Sequence, residues 1–290
     1  MRKAFLLSIL IVGLLAPGLS GASSAIIEKQ DLIGSDFSGQ LSDDQLQRLT
    51  DEAQAMVDKV VELWSADSGV QRFGKIRVVF DSPHREIYSS VSYRESKDGA
   101  PRRVVGIFGI RETPQMMAHK LTSAIFPQPD KLIRNMMGIS TEVRIGNPLS
   151  FPSCGFSSDD WVSAFIKASS YLPLADLSAE HEPWGMRYTG GGKFVIFDKA
   201  KQHKAYAEAG SFGNYLVTTH GFDSLKRFHR LAHVNERPWL DVFGKNLKEL
   251  EADWLMSLRS KPSNDIVLLS KLIERSPATA CAEAQRLSGK

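Results

Sequence analysis

The chain has 290 residues, with 36 Lys and Arg against 33 Asp and Glu, so its formal net charge is +3. This near-balance gives no case for nucleic acid or an anionic membrane as partner, because both recruit strongly basic surfaces. Hydrophobic residues at 42% and charged residues at 24% are typical of a globular protein with a real core, which argues against a disordered chain.

The first 25 residues have the three parts of a secretory signal. Arg2 and Lys3 precede an apolar run over residues 4–16, and a Pro-Gly break and small residues follow. Cleavage is predicted after Ala22 or Ala25, where small side chains occupy the positions that signal peptidase reads. The alternative is a membrane anchor, but a spanning helix needs about 20 apolar residues. We therefore predict export to the periplasm or the medium, with no membrane span after cleavage.

The exported part contains two cysteines, Cys154 and Cys281. Two lone cysteines in an oxidising compartment often pair, so a disulfide is predicted between the middle of the chain and its C-terminal segment. The alternative is two free, buried thiols.

The exported part is predicted to begin with a leader and a long helix. Residues 26–41 have little pattern and are assigned to the leader. Ser42 and Gln45 have the spacing of a capping box, which marks a helix start. Apolar residues then recur at helical spacing as far as Trp64, which predicts an amphipathic helix.

Two strands and a second helix are predicted next. Residues 75–80 and 103–110 are short apolar runs rich in β-branched residues, and the second is apolar enough to be largely buried. Thr113 and Pro114 have the residue types of an N-cap and a first helical position. They predict a helix that ends near Pro127.

The second half of the chain is predicted to be mostly helical. Residues 127–158 are rich in Pro, Gly and Ser and predict a long irregular connection, followed by a helix at 161–170. A turn at 190–192 precedes a short strand at 194–197. Four further helices are predicted at 203–219, 223–234, 246–259 and 263–275.

This order of elements indicates an α+β fold. One domain is predicted over residues 42–275, with an α/β part at 42–126 and an all-helical part at 159–275. The last residues, 276–290, are assigned to a tail.

A first candidate metal site lies in a helix near the C-terminal third. His229 and His233 are four residues apart on one helical face, a spacing that suits zinc. Arg230, however, occupies the position where a metalloprotease carries its general-base Glu, and a cation beside a divalent ion is unfavourable. An amphipathic core helix explains the pattern better, so this site is kept as the weaker alternative.

Three segments carry a resemblance to a known family. The segment 119–123 (HKLTS) stands in a helix after an apolar strand, where a zincin carries His-Glu-x-x-His, and 161–165 resembles the Trp-x-Ser-Glu-Gly segment that supplies a third ligand. The segment 206–216, with the Phe-Gly, Leu-Glu and Trp that close the chain by Trp254, resembles the C-terminal half of the peptidase MA-like (gluzincin, thermolysin-like zinc metallopeptidase) proteins. The resemblance covers residues 45–260.

The resemblance implies a gluzincin-like fold whose functional positions are mostly replaced. His119 matches the first zinc ligand, but Lys120 stands at the general base, Ser123 at the second ligand and Ala164 at the third. A catalytic zinc needs three protein ligands, and the base takes a proton from its bound water. We therefore expect no catalysis and no zinc. Three acidic residues are alternative third-ligand positions: Glu142, Glu180 and Glu182.

Three functions follow from this comparison. The first is an exported, non-catalytic domain, a pseudoenzyme, that binds a protein or peptide in the former cleft. In a zincin cleft a strand edge beside the active-site helix takes an extended peptide, and residues 103–110 would be that strand. The second is a divergent zinc metallopeptidase that uses His119 with His229 and His233. The third is a structural envelope protein whose cleft is filled by side chains.

Overall fold

The computed structural model describes most of the chain that follows the predicted signal and leader. The described residues are 27–28, 42–64, 76–81, 88–95, 101–108, 116–179, 181–190, 193–232, 238–260 and 265–289. The predicted signal at 1–25, the predicted N-cap Thr113 with Pro114, and the candidate residues Glu180 and His233 lie outside them.

A four-stranded mixed sheet forms the N-terminal part. Its strands are β1 (Ile27–Glu28), β2 (Ile76–Asp81), β3 (Tyr88–Glu95) and β4 (Pro101–Phe108). The order is β1-β2-β4-β3, in which β1, β2 and β4 run parallel and β3 is antiparallel to β4. The two apolar strands that the sequence predicts are therefore confirmed, and the leader contributes a two-residue edge strand.

The predicted peptide-binding edge at residues 103–110 is wrong. Strand β4 pairs with β2 on one side and with β3 on the other along its length, so its backbone groups are already used. In the described part of the sheet, β3 is the outer strand next to β4. Its sequence, YSSVSYRE, is too polar to stand out as a strand by apolar content.

The rest of the fold is helical, apart from a two-stranded ribbon. The described helices are α1 (Asp43–Trp64), α2 (Met117–Ile125), α3 (Lys131–Ile145), α4 (Ser158–Lys167), α5 (Leu174–Ala179), α6 (Lys199–His220), α7 (Phe222–Leu231), α8 (Pro238–Phe243), α9 (Leu247–Arg259), α10 (Ile266–Ser270) and α11 (Pro277–Ser288). A 3-10 turn (Glu182–Trp184) precedes the ribbon, β5 (Met186–Gly190) and β6 (Lys193–Ile196). This mixture confirms an α+β fold. No described helix is both long and apolar enough to cross a bilayer.

Helix α1 begins and ends as its sequence predicts. The backbone N–H of Ser42 donates to Gln45 Oε1 at 2.9 Å, and the N–H of Gln45 donates to Ser42 Oγ at 3.2 Å. These two bonds complete the predicted capping box. At the other end the indole of Trp64 donates to Thr141 Oγ1 at 2.9 Å, which ties α1 to α3.

Helix α2 begins at Met117, three residues after the predicted first position. Its N-cap is Met116, which supplies no side-chain hydrogen bond. The first backbone N–H groups of α2 therefore need partners from elsewhere in the chain.

The predicted irregular connection at 127–158 is wrong, because 15 of its residues form α3. Asp130 starts this helix by accepting a hydrogen bond from the N–H of Ile133 at 2.9 Å. Helix α3 packs against α2 and α6 and is buried on most sides, so polar and apolar residues alike occupy its buried positions. Gly138 and Ser140 then give it the composition of a loop.

Helix α6 crosses α3 at the positions of two glycines. A Cβ at Gly210 would lie 2.6 Å from Ile139 Cγ2, and a Cβ at Gly213 would lie 2.6 Å from Met136 Cγ. Both separations are shorter than a carbon–carbon contact allows. The absence of these side chains therefore lets the two helices approach, which brings α6 close to α2.

The C-terminal segment is part of the fold, so its assignment to a tail is wrong. Cys154 and Cys281 form a disulfide with their Cα atoms 4.9 Å apart, which confirms the predicted pair. Helix α11 packs against α6 and buries Ala280 and Ala284. Within the described part of the helix predicted at 263–275, residues Ile266–Ser270 are helical and 271–275 form turns.

Candidate functional site

His119 lies in the first turn of α2 and is fully buried against α3. Its Nε2 is 3.2 Å from Asn135 Oδ1, and the amide nitrogen of Asn135 donates to the Lys131 carbonyl at 2.8 Å. That second bond turns the amide oxygen towards the imidazole, so Nε2 carries the proton and donates it. Burial, and then the charge of Lys120, hold the pKa of His119 well below its usual 6.5, so the ring is neutral.

The His119 ring occupies the place of a missing side chain on α3. A Cβ at Gly138 would lie 2.4 Å from His119 Cδ2 and 2.7 Å from Nε2. On the other side, the centroids of the His119 and Tyr206 rings are 5.5 Å apart. The imidazole is therefore packed between α3 and α6.

Lys120 places an ammonium group beside this histidine. The residue is 8% exposed, and its Nζ lies 3.3 Å from the hydroxyl of Tyr206 and 5.2 Å from the centre of that ring. A charged ammonium donates hydrogen bonds and accepts none. It therefore cannot take a proton from water. In the zinc peptidases that the sequence resembles, a Glu at this position takes that proton.

Ser123 and Ala164 do not complete a metal site with His119. The hydroxyl of Ser123 donates to the His119 carbonyl at 3.2 Å within α2. Ala164 lies on α4, which packs against α6, α9 and α10, whereas α2 packs against α3 and α1. The main helix contacts of the described residues therefore do not join Ala164 to His119, and the connection predicted to be irregular contains a helix that packs on α2.

Glu142, one of the alternative third-ligand positions, lies on α3 and caps α2. Its Oε2 accepts a hydrogen bond from the backbone N–H of His119 at 2.9 Å, and its Oε1 accepts one from Asn147 N at 3.0 Å. A carboxylate suits this place because the N-terminus of a helix is electropositive. Burial outweighs these bonds and raises the pKa of Glu142 to about 7. Glu182, the other described alternative, is exposed and lies 3.7 Å from Lys201.

His229 lies at the opposite end of α2 from His119. Its ring centroid is 6.0 Å from that of Trp64 and 5.4 Å from that of Phe126. Phe126 is seven residues beyond His119, which is about 10 Å along a helix. The weak alternative site of His119, His229 and His233 is therefore not assembled by the described residues.

The residues at the family's functional positions do not fit a zinc ion. They supply one imidazole, one ammonium, one hydroxyl and one methyl group, so they offer a single nitrogen lone pair, and zinc requires several nitrogen, sulfur or carboxylate ligands. Within the described ranges, no three or more His, Cys, Asp or Glu side chains converge as a metal-binding group.

Lys131 adds a second buried amine that the sequence did not single out. The residue is 7% exposed, and its Nζ lies 3.7 Å from Met186 Sδ and 5.8 Å from the centre of the Trp184 ring. Burial, and then the charges of Arg134 and Lys120, lower the pKa of Lys131 to about 8. Only the packing of α3 on α2 brings these cations together, so spacing in the sequence gave no signal for them.

No family model, curated protein or solved structure matches this chain.

Proposed function

We propose that the chain is an exported, non-catalytic peptidase-like domain of the gluzincin type, which binds a protein or peptide without cleaving it. The observation that carries this proposal is the buried ammonium of Lys120, held by Tyr206 beside an imidazole that donates to Asn135. Zinc-dependent hydrolysis needs a carboxylate base and three ligands. Here a cation stands at the position of the base.

The C-terminal motif residues of the resemblance support the gluzincin part of the proposal. The indole of Trp254 donates to Ser211 Oγ at 3.0 Å, and that hydroxyl donates to Asp159 Oδ1 at 2.6 Å. These bonds join the Gly-Ser-Phe segment of α6 to α9 and α4. Ser211 and Trp254, which both belong to the resembling segments, are therefore joined by a hydrogen bond in the fold.

Strand β3 provides a place for an extended peptide. It is the outer strand beside β4, and α2 packs against both strands. An incoming chain can add to such an edge by main-chain hydrogen bonds. We propose β3 as the peptide-binding strand, in place of residues 103–110.

Export is supported by the signal at residues 1–25 and by the disulfide. Disulfides form and persist in oxidising compartments such as the periplasm and the extracellular medium. The pairing of Cys154 with Cys281 agrees with such a compartment.

The proposal is tested on the purified mature protein with its disulfide formed. We expect zinc far below one atom per chain by atomic emission after incubation with zinc and dialysis. We also expect a library of extended peptides to yield binders that mass spectrometry recovers uncleaved.

The controls are two histidine variants, His119→Ala and His203→Ala, since both histidines are buried in the folded protein. Stoichiometric zinc that is lost only in His119→Ala would support the divergent metallopeptidase instead. Failure to find any bound peptide or protein would favour a structural envelope protein.

A further inference from the structure

Two lysines from different helices flank one aromatic pair. Lys120 Nζ lies 3.3 Å from the hydroxyl of Tyr206, and Lys131 Nζ lies 5.8 Å from the centre of the Trp184 ring. The two rings are perpendicular, with centroids 5.1 Å apart. The charge of Lys120 also contributes to the lowered pKa of Lys131, so the two ammonium groups lie in one region, where they repel each other.

Lys120 carries a positive charge that no carboxylate of the described residues neutralises. The polar partner of Lys120 is the neutral hydroxyl of Tyr206, and no carboxylate of the described residues forms an ion pair with it. Asp130 and Glu142, the acids on the adjoining segments, accept from backbone N–H groups at the starts of α3 and α2. A buried charge is costly without a partner of opposite sign, so an anion would be stabilised here.

An exposed apolar surface continues from Lys131 along the ribbon. Met186, whose sulfur lies 3.7 Å from Lys131 Nζ, pairs across the ribbon with Ile196. Tyr188 is two residues further along β5 and shares that face. Ile196 is 40% and Tyr188 55% exposed. Grouped exposed apolar side chains commonly mark binding surfaces.

We infer that the ammonium groups of Lys120 and Lys131, with this ribbon face, bind a peptide segment that carries a carboxylate next to an apolar side chain. The inference rests on the proposed function and adds to strand β3 a second contact surface for its peptide ligand. The carboxylate accepts charge-assisted hydrogen bonds from the two amines, and the apolar side chain packs on Tyr188 and Ile196. An Asp or Glu side chain and a free C-terminus offer the same chemistry.

Three peptides of one apolar sequence distinguish these sources. The first has both ends blocked, the second is blocked but contains one Glu, and the third has a free C-terminal carboxylate. Binding to the mature protein is measured by titration calorimetry, with glutarate as a small dicarboxylate probe. We expect one or both carboxylate peptides to bind about 10- to 100-fold more tightly than the neutral peptide. The peptide with the larger gain identifies the source.

Variants at the site connect that gain to the lysines. Lys120→Met and Lys131→Met should each abolish most of the carboxylate preference, whereas Lys248→Met, on the exposed face of α9, should leave it unchanged. Tyr188→Ser should weaken binding of all three peptides without affecting the fold, because that side chain is mostly exposed. It serves as the test if a lysine variant fails to fold.

The outcomes separate this inference from the proposed function. Equal binding of all three peptides, unchanged by the lysine variants, would overturn the carboxylate site and leave peptide binding intact. Lys120-dependent binding of glutarate with no binding of any peptide would support the site and contradict the proposed function. Binding of neither glutarate nor peptide would contradict both.

Discussion

Substitution of Gly138 by alanine tests the packing of His119 against α3. The added Cβ would lie 2.4 Å from His119 Cδ2 and 2.7 Å from Nε2, and the ring is held by its bond to Asn135. Overpacking of a core typically costs about 1–3 kcal/mol, while Gly to Ala in a helix gains about 1 kcal/mol. The expected net loss in the free energy of unfolding is therefore roughly 0–2 kcal/mol.

The same substitution should have the opposite sign when the ring is absent. In His119→Ala the new Cβ at Gly138 enters the space left by the imidazole, so the gain in helix propensity remains and the clash does not. The double-mutant cycle then gives a coupling free energy of about 1–3 kcal/mol.

The assay is urea unfolding of the four proteins, followed by Trp fluorescence and circular dichroism with the disulfide intact. Gly213→Ala serves as the matched control, since its Cβ would meet Met136 and Ser140 instead of His119. Its effect should be equal in both backgrounds. A coupling between Gly138 and His119 within about 0.5 kcal/mol of zero would refute the packing described here.

Two further predictions concern stability. Because burial raises the pKa of Glu142 from 4.5 to about 7, the folded state holds this proton more tightly than the unfolded state does. The contribution of the Glu142 carboxyl to the free energy of unfolding is therefore greatest below pH 4.5. It falls by about 3 kcal/mol as the pH rises to 7. The difference in unfolding free energy between wild type and Glu142→Gln should change by that amount between pH 4 and 8, and a difference that is independent of pH would contradict the raised pKa. The double variant Cys154→Ser with Cys281→Ser removes the disulfide, whose cysteines are 127 residues apart in the sequence. Its free energy of unfolding, measured by thermal unfolding, should be lower by about 2–5 kcal/mol. An unchanged melting temperature would contradict a stabilising role.

The sequence predicted those parts of the fold whose signals are local. The capping box of Ser42 and Gln45 lies within four residues, and the stripe up to Trp64 has one apolar face, so α1 was predicted with both ends correct. Helix α3 was missed because it is buried on most sides, so polar residues such as Asn135 and Ser140 lie at buried positions. Gly138 leaves the space that the His119 ring occupies, but a glycine in a sequence usually indicates a loop.

The candidate site was predicted in its residue types but not in its contacts. The spacing of His119, Lys120 and Ser123 is local to one helix, so the departure of this segment from the His-Glu-x-x-His pattern is visible in the sequence. Asn135 and Tyr206, which hold the first two side chains, come from helices 16 and 86 residues further along the chain. No spacing rule reaches such partners. The assignment of the third-ligand position to Ala164 was made without knowledge of α3, which lies between α2 and α4 along the chain.

The most direct test of the central claim is the tautomer of His119 in the mature protein. Long-range proton–nitrogen correlation spectra, assigned with His119→Ala, report which ring nitrogen carries the proton. We predict a neutral ring protonated at Nε2, unchanged on addition of stoichiometric zinc, because that nitrogen donates to Asn135. An Nε2 without a proton that shifts on zinc binding would contradict the account and identify His119 as a metal ligand.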